Sequence, residues 1–125
     1  MRPMPAPLHT VIETPPYLRD AARCMTETEQ QNVVNLLAAQ PFLGALVPGG
    51  GGIRKLRVAL SGRGKRGGAR VIYYVHSARL PVFLLACFAK NERSDLTAEE
   101  RRSLAAAVKS IPRTYGKIGY GKARV

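Results

Sequence analysis

The sequence predicts an α+β domain, an antiparallel β-sheet with an N-terminal αα-hairpin and a C-terminal helix packed on it. Three observations predict it. Two helical patterns follow one short strand-like segment. Three period-two segments then come in succession. A last helical pattern closes the domain, and capping boxes at Thr26–Glu29 and Thr97–Glu100 mark where two of the helices begin. Consecutive strands joined by short loops pair as antiparallel neighbours, which leaves the helices for one side of the sheet.

Leu8 to Glu13 reads as the first strand. Thr14-Pro15-Pro16 ends it and opens a helix, because proline fits a first helical turn. Leu18, Ala21, Ala22 and Met25 recur at i, i+3, i+4, i+7 and mark its expected buried face. Thr26 caps a second helix carrying Val33, Val34, Leu36 and Leu37, which Pro41 stops. Phe42 to Gly52 is expected to be a loop. From Ile53 the period becomes two: Ile53, Lys55, Arg57 and Ala59 share one face, Arg54, Leu56, Val58 and Leu60 the other. Ser61 to Gly68 is a glycine-rich basic loop, and Ala69 to His76 is the next strand. After the turn Ala78-Arg79-Leu80-Pro81, Val82 to Ala89 is apolar on both faces, hence central or covered by a helix. The last helix runs from Thr97 through Leu104, Ala107, Val108 and Ile111 to Pro112.

A chain of 125 residues is one domain's worth. Residues 8–111 form the expected domain, 1–7 a flexible N-terminal segment, and 112–125 a basic tail expected to be disordered. Cys24 and Cys87 lie in apolar patterns, where reduced cysteine sits. No apolar run approaches the roughly 20 residues that cross a bilayer, and residues 1–7 lack the apolar core of a signal peptide. A cytoplasmic protein without a membrane partner is expected. Twenty Lys and Arg face eight Asp and Glu, for a net charge of +12. Such a balance favours an anionic partner, nucleic acid first. No Asp or Glu occurs between Gln30 and Asn91, although that stretch carries Arg54, Lys55, Arg57, Arg63, Lys65, Arg66, Arg70, Arg79 and Lys90.

Several chemistries are poorly served. There is no Gly-x-Ser-x-Gly elbow and no Cys/His pair in a sensible local context. No acidic cluster suits magnesium, and the loop Gly62 to Gly68 lacks the Lys-Ser/Thr ending of a phosphate loop. No metal or cofactor is expected. What remains is a basic sheet face. Lys55 and Arg57 share a side of one strand, Arg70, Tyr74 and His76 of the next, Phe88 and Lys90 of the last. If these sides coincide, the sheet offers four cations, an aromatic platform and no carboxylate. That suits RNA cleavage by the ribose 2′-hydroxyl. Arg57 and Arg70 would hold the phosphorane oxygens. Lys55 or Lys90, its pKa lowered by crowding cations, would accept the 2′-hydroxyl proton, and a neighbour would protonate the leaving 5′-oxygen. Phe88 or Tyr74 would stack on a base, while Arg54, Lys65 and Arg66 would grip phosphates. For any single one of these side chains, a solvated face or a core position is the competing reading.

Thr14-Pro15, the stretch Pro48 to Arg57, the run Gly64-Lys65-Arg66-Gly67-Gly68-Ala69-Arg70-Val71-Ile72-Tyr73-Tyr74, then Phe88-Ala89-Lys90-Asn91-Glu92 and Asp95-Leu96-Thr97 resemble the HigB branch of the RelE toxin superfamily. The likeness spans Leu8 to Val108. It implies a RelE-like fold and the toxin of a type II toxin–antitoxin system: a metal-independent endoribonuclease that cuts mRNA, in many relatives on the ribosome, and so inhibits translation. It also implies a helix-turn-helix antitoxin as partner and promoter DNA bound through their complex. By position, Lys55 and Arg57 match basic residues of the family's central strand. Arg70 matches the arginine after the glycine loop, and Lys90 the basic residue ending the last strand. Phe88 stands where relatives often have tyrosine. Thr97 lies near the catalytic tyrosine of RelE proper, which leaves the acid–base assignment open. The alternatives are a degenerate homologue that binds RNA or a partner without cutting, and a gyrase poison of the ParE type, which would not need the basic face.

Overall fold

In a computed structural model that describes residues 8–61 and 67–112, the elements follow one another as strand, two helices, four strands, helix. They are β1 (Val11–Glu13), α1 (Pro15–Cys24), α2 (Glu27–Ala39), β2 (Ala45–Leu46), β3 (Ile53–Val58), β4 (Ala69–Val75), β5 (Val82–Ala89) and α3 (Ala98–Val108). The helix starts are local in origin. Thr14 accepts from the Tyr17 amide and is followed by the two prolines. Thr26 and Thr97 each close a full capping box, with Glu29 and Glu100 reaching back to the cap amides.

The five strands form one sheet in the order β1-β5-β4-β3-β2. β2, β3, β4 and β5 pair antiparallel, as expected, but β1 runs parallel to β5, so the sheet is mixed. The two-helix hairpin intervenes between β1 and the rest, so β1 is free to enter in either direction. The expected loop Phe42 to Gly52 contains β2, whose two residues lie opposite Lys55 and Arg54. β2 is too short for a periodicity to be visible.

The helices do not share one side. Tyr17, Ala21 and Cys24 of α1 and Val33 and Leu37 of α2 pack with Leu56, Val71, Tyr73, Val82 and Leu84. Val108, with Leu104 and Ile111, packs on the opposite face with Ile53, Ile72, Tyr74, Phe83 and Phe88. The reason lies in β4, which is buried at every residue and must be covered on both sides. The buried stripe of α1 is also rotated from the expected one. Tyr17, Ala21 and Cys24 point in, whereas Leu18 is 43% exposed and Ala22 is exposed. Tyrosine and cysteine score as weakly apolar, yet Tyr17 is fully buried and burial pushes its phenol well above its ordinary pKa. In α2, Val33 and Leu37 are buried as expected but Leu36 is exposed. Among the described residues no helix is long and apolar enough to cross a membrane.

Candidate functional site

Pairing between β3 and β4 sets Arg57 directly opposite Arg70, and Lys55 opposite Ile72. Ile53 and Ile72 pack under α3, so by alternation Lys55, Arg57 and Arg70 all lie on that face. On the other side of β4, Phe88 lies opposite Arg70. Phe88 belongs to the same cluster under α3. The expected coincidence of faces therefore holds for Lys55, Arg57, Arg70 and Phe88. Arg57, Arg70 and Lys90 line one open cleft of about 450 Å³, walled by Val58, Leu60, Gly67 and Gly68.

Each cation is held differently. Arg70 is only 7% exposed. Its guanidinium donates to the carbonyls of Gly67 (2.6 Å) and Ala69 (3.2 Å), which fixes the fork at the mouth of the turn between β3 and β4. Lys90 is exposed; its backbone amide donates to Gly68 O at 2.9 Å and its ammonium to Ser94 O at 2.9 Å. A Cβ at Gly67 would come within 2.8 Å of the Lys90 side chain, so the glycine leaves room for the lysine stem. Arg57 is exposed and, like Arg70 and Lys90, joins none of the ion pairs among the described residues. Two arginines directly opposed on neighbouring strands repel, which costs stability unless an anion lies between them.

Lys55 departs from the expectation of a face without carboxylates. Its ammonium lies 3.1 and 3.2 Å from the two oxygens of Asp95. The Leu96 amide, then Lys55 and Lys90, hold the Asp95 carboxyl below the usual carboxylate range. The acid-free stretch ends at Asn91, but the loop after β5 folds back over the sheet and brings Asp95 to it. Sequence distance does not limit such a return. Phe88 is likewise covered: the Arg93 guanidinium lies 4.8 Å from its ring centroid and pairs with Glu100 at 3.0 Å. Arg93 was not singled out by the sequence. Its spacing of five from Phe88 belongs to no strand or helix period, so only the loop's path brings them together.

Two expected contributors lie elsewhere. Arg54 points to the opposite face from Lys55 and Arg57. There it stacks 5.3 Å from the Phe42 ring centroid and donates to the carbonyls of Phe42 (3.1 Å) and Gly44 (2.7 Å). It fastens the approach to β2, beside the Gly44 amide that donates to Tyr73 Oη at 2.8 Å. Tyr74 is on the α3 face but pairs with Ile53, at the far end of β4 from Arg70, roughly 13 Å along the strand. It is buried, with Oη 3.2 Å from His76 Nδ1. Neither joins the cleft. Lys65 and Arg66 lie outside the described residues, as do the N-terminal segment 1–7 and residues 113–125 of the tail.

The arrangement is a cleft with two arginines and a lysine, flanked by a paired lysine and a covered aromatic ring. It suits a doubly charged oxyanion held by planar forks. Comparison with known proteins places the chain by family and fold. The family described as the RelE toxin of the RelE/RelB toxin–antitoxin system matches residues 19–117. Among solved structures, the free state of an arginine double mutant of the toxin RelE from E. coli is similar in fold. Its TM-score is 0.52 at 16% identity, over 81% of this chain and 97% of that one.

Proposed function

Because the chain belongs to the RelE toxin family, as the toxin of a toxin–antitoxin system, we propose that it is an endoribonuclease of the HigB branch that cuts mRNA at the cleft of Arg57, Arg70 and Lys90. The observation that carries this reading is the direct opposition of Arg57 and Arg70 across β3 and β4, with Lys90 on the same cleft. A phosphodiester relieves like charges so placed, and among the described residues no carboxylate pairs with Arg57, Arg70 or Lys90. The 2′-oxygen attacks phosphorus, the bond to the 5′-oxygen breaks, and a 2′,3′-cyclic phosphate and a 5′-hydroxyl remain. Lys90 in its neutral form takes the 2′-hydroxyl proton and a neighbouring cation, the Asp95-paired Lys55 among them, returns one to the 5′-oxygen. Arg57 and Arg70 stabilise the charge that builds on the non-bridging oxygens. Phe88 stacks on a base when Arg93 swings off its ring. The reading further takes the ribosome as the place of cutting, the cytoplasm as the compartment, and a helix-turn-helix antitoxin as the partner that represses toxicity and the shared promoter.

Asp95 favours a second reading. A carboxylate on Lys55 withholds that lysine as a proton acceptor, which suits a homologue that binds RNA through its other cations without cutting it. One experiment separates the two. RNA ends are mapped after incubation of the purified protein with naked RNA and with translating ribosomes. The nuclease reading expects new cuts that disappear in Arg70→Ala and fall about 100-fold or more in Arg70→Lys, which keeps the charge but loses the fork. Cutting at the normal rate in both variants refutes it, and RNA retained without any cut supports the binder.

A further inference from the structure

Asp20 lies on α1, outside the cleft, and its carboxylate faces the register slip between β4 and β5. Tyr73 opposes Leu84 and Ile72 opposes Ala86, so Leu85 is an extra residue, a β-bulge. The bulge reverses the alternation of β5. Before it, Val82 and Leu84 pack with α1; after it, Cys87 and Ala89 do so, and Phe88 joins the cluster under α3. Unbroken alternation from Leu84 would turn Phe88 and Lys90 towards α1, away from Arg57 and Arg70.

The outer edge of β5 needs help at this point. β1 pairs only as far as Leu84. Thr14 then donates its amide (3.2 Å) and hydroxyl (2.7 Å) to the Leu84 carbonyl. Beyond it, the Cys87 amide donates to Asp20 Oδ2 at 3.1 Å, taking the helix side chain as partner where the strand has ended. Asp20 Oδ1 pairs with Arg23 at 3.0 Å, and Arg23 is 66% exposed.

We propose that Asp20 is a positioning residue: by accepting from the Cys87 amide it locks the bulge of β5, and through the bulge it sets Phe88 and Lys90 on the cleft face. What that face does rests on the nuclease reading; the lock itself does not.

The test compares Asp20→Ala, Asp20→Asn and Arg23→Ala. The asparagine keeps an acceptor for the amide and loses only the pair with Arg23, which Arg23→Ala removes by itself. Exchange of the Cys87 amide, followed by NMR, is expected to quicken about tenfold or more in Asp20→Ala, with Leu37 in α2 as the unaffected reference. RNA cutting is expected to fall about tenfold in Asp20→Ala and to stay near wild type in the other two. The nuclear Overhauser contact between Phe88 and Arg93 weakens only in Asp20→Ala. If that variant fails to fold, the wild type decides: a through-hydrogen-bond scalar coupling from the Cys87 amide nitrogen to the Asp20 carboxyl carbon is expected. Unchanged Cys87 exchange in Asp20→Ala, an asparagine as damaging as alanine, a loosened amide with normal cutting, or no coupling between the Cys87 amide and the Asp20 carboxyl in the wild type overturns the proposal. If the wild type cuts no RNA, the nuclease reading alone falls, and the exchange and contact measurements still judge the lock.

Discussion

Lys55 and Asp95 show how one side chain can change the meaning of a surface. The lysine is on the cation face as its alternation in β3 requires, yet its charge is partly neutralised by a residue forty positions away. An exposed pair of this kind contributes little to stability, so its effect falls on binding. Asp95→Asn is expected to tighten single-stranded RNA and to steepen the log–log salt dependence by up to about 0.7, the increment for one more phosphate contact. Filter binding across a salt series checks this, and an unchanged slope would mean that Lys55 does not reach the nucleic acid. The pairing also bears on pH. Asp95, Glu29 and Glu100 are all held below their ordinary carboxylate values, in each case first by a backbone amide. Carboxyls with depressed folded values stabilise fully above the unfolded values of 3.8 for Asp95 and 4.5 for the two glutamates. That stability is lost as the pH falls through the depressed values. Melting temperature is therefore expected to drop on acidification below pH 4.5, and Glu29→Gln to flatten part of that drop.

At the scale of elements, turns and caps matter most. Glu29 closes the capping box of α2 and also accepts from the Ser61 amide (2.8 Å) and hydroxyl (3.0 Å), so one carboxylate ties a helix start to the exit from β3. Thr26→Ala is expected to cost about 1 kcal/mol in denaturant unfolding, and Glu29→Ala to loosen Ser61 as well. Gly68 has φ of +66°, and a Cβ there would collide with the Val58 carbonyl. Gly68→Ala should cost more than about 1 kcal/mol and should lower RNA cutting beyond what stability explains, because Gly68 O holds the Lys90 amide. Equal stability of the variant and the wild type would contradict this account. The helix starts and the strand cores of β3, β4 and β5 were legible in the sequence because caps and alternation act within a few residues. β2 was not legible, nor was the true buried stripe of α1. The first is held only by pairing with β3, and the second is chosen by which side chains the sheet can accept, here Tyr17 and Cys24 over Leu18 and Ala22.

Among the described residues helices pack on both faces of the sheet, and this decides what the basic surface can be. α1 and α2 cover one side with the larger core, while α3 covers only part of the other. On that second face the strands present Arg57 and Arg70 side by side. Arg57, Arg70 and Lys90 meet there in the cleft, next to the loop that leaves β5. A chain with a net charge of +12 should bind RNA with an affinity that falls steeply with salt, by a slope of about −0.7 for each phosphate contacted. A flat profile would count against any nucleic-acid function.

By itself the sequence determined the α+β class, the capped helices, the strand alternation that puts Lys55 with Arg57, and the excess of cations that points to a polyanion. These follow from local rules, since caps reach three residues and a strand alternates every two. The tertiary structure alone decided the parallel entry of β1, the separation of the helices onto two faces, the return of Asp95 to Lys55 and the diversion of Arg54 to Phe42 and Gly44. It also decided the bulge at Leu85, which carries Phe88 to the same face as Arg70. Each of these depends on contacts between segments far apart in the chain, where burial and the pairing of backbone groups override any pattern along it.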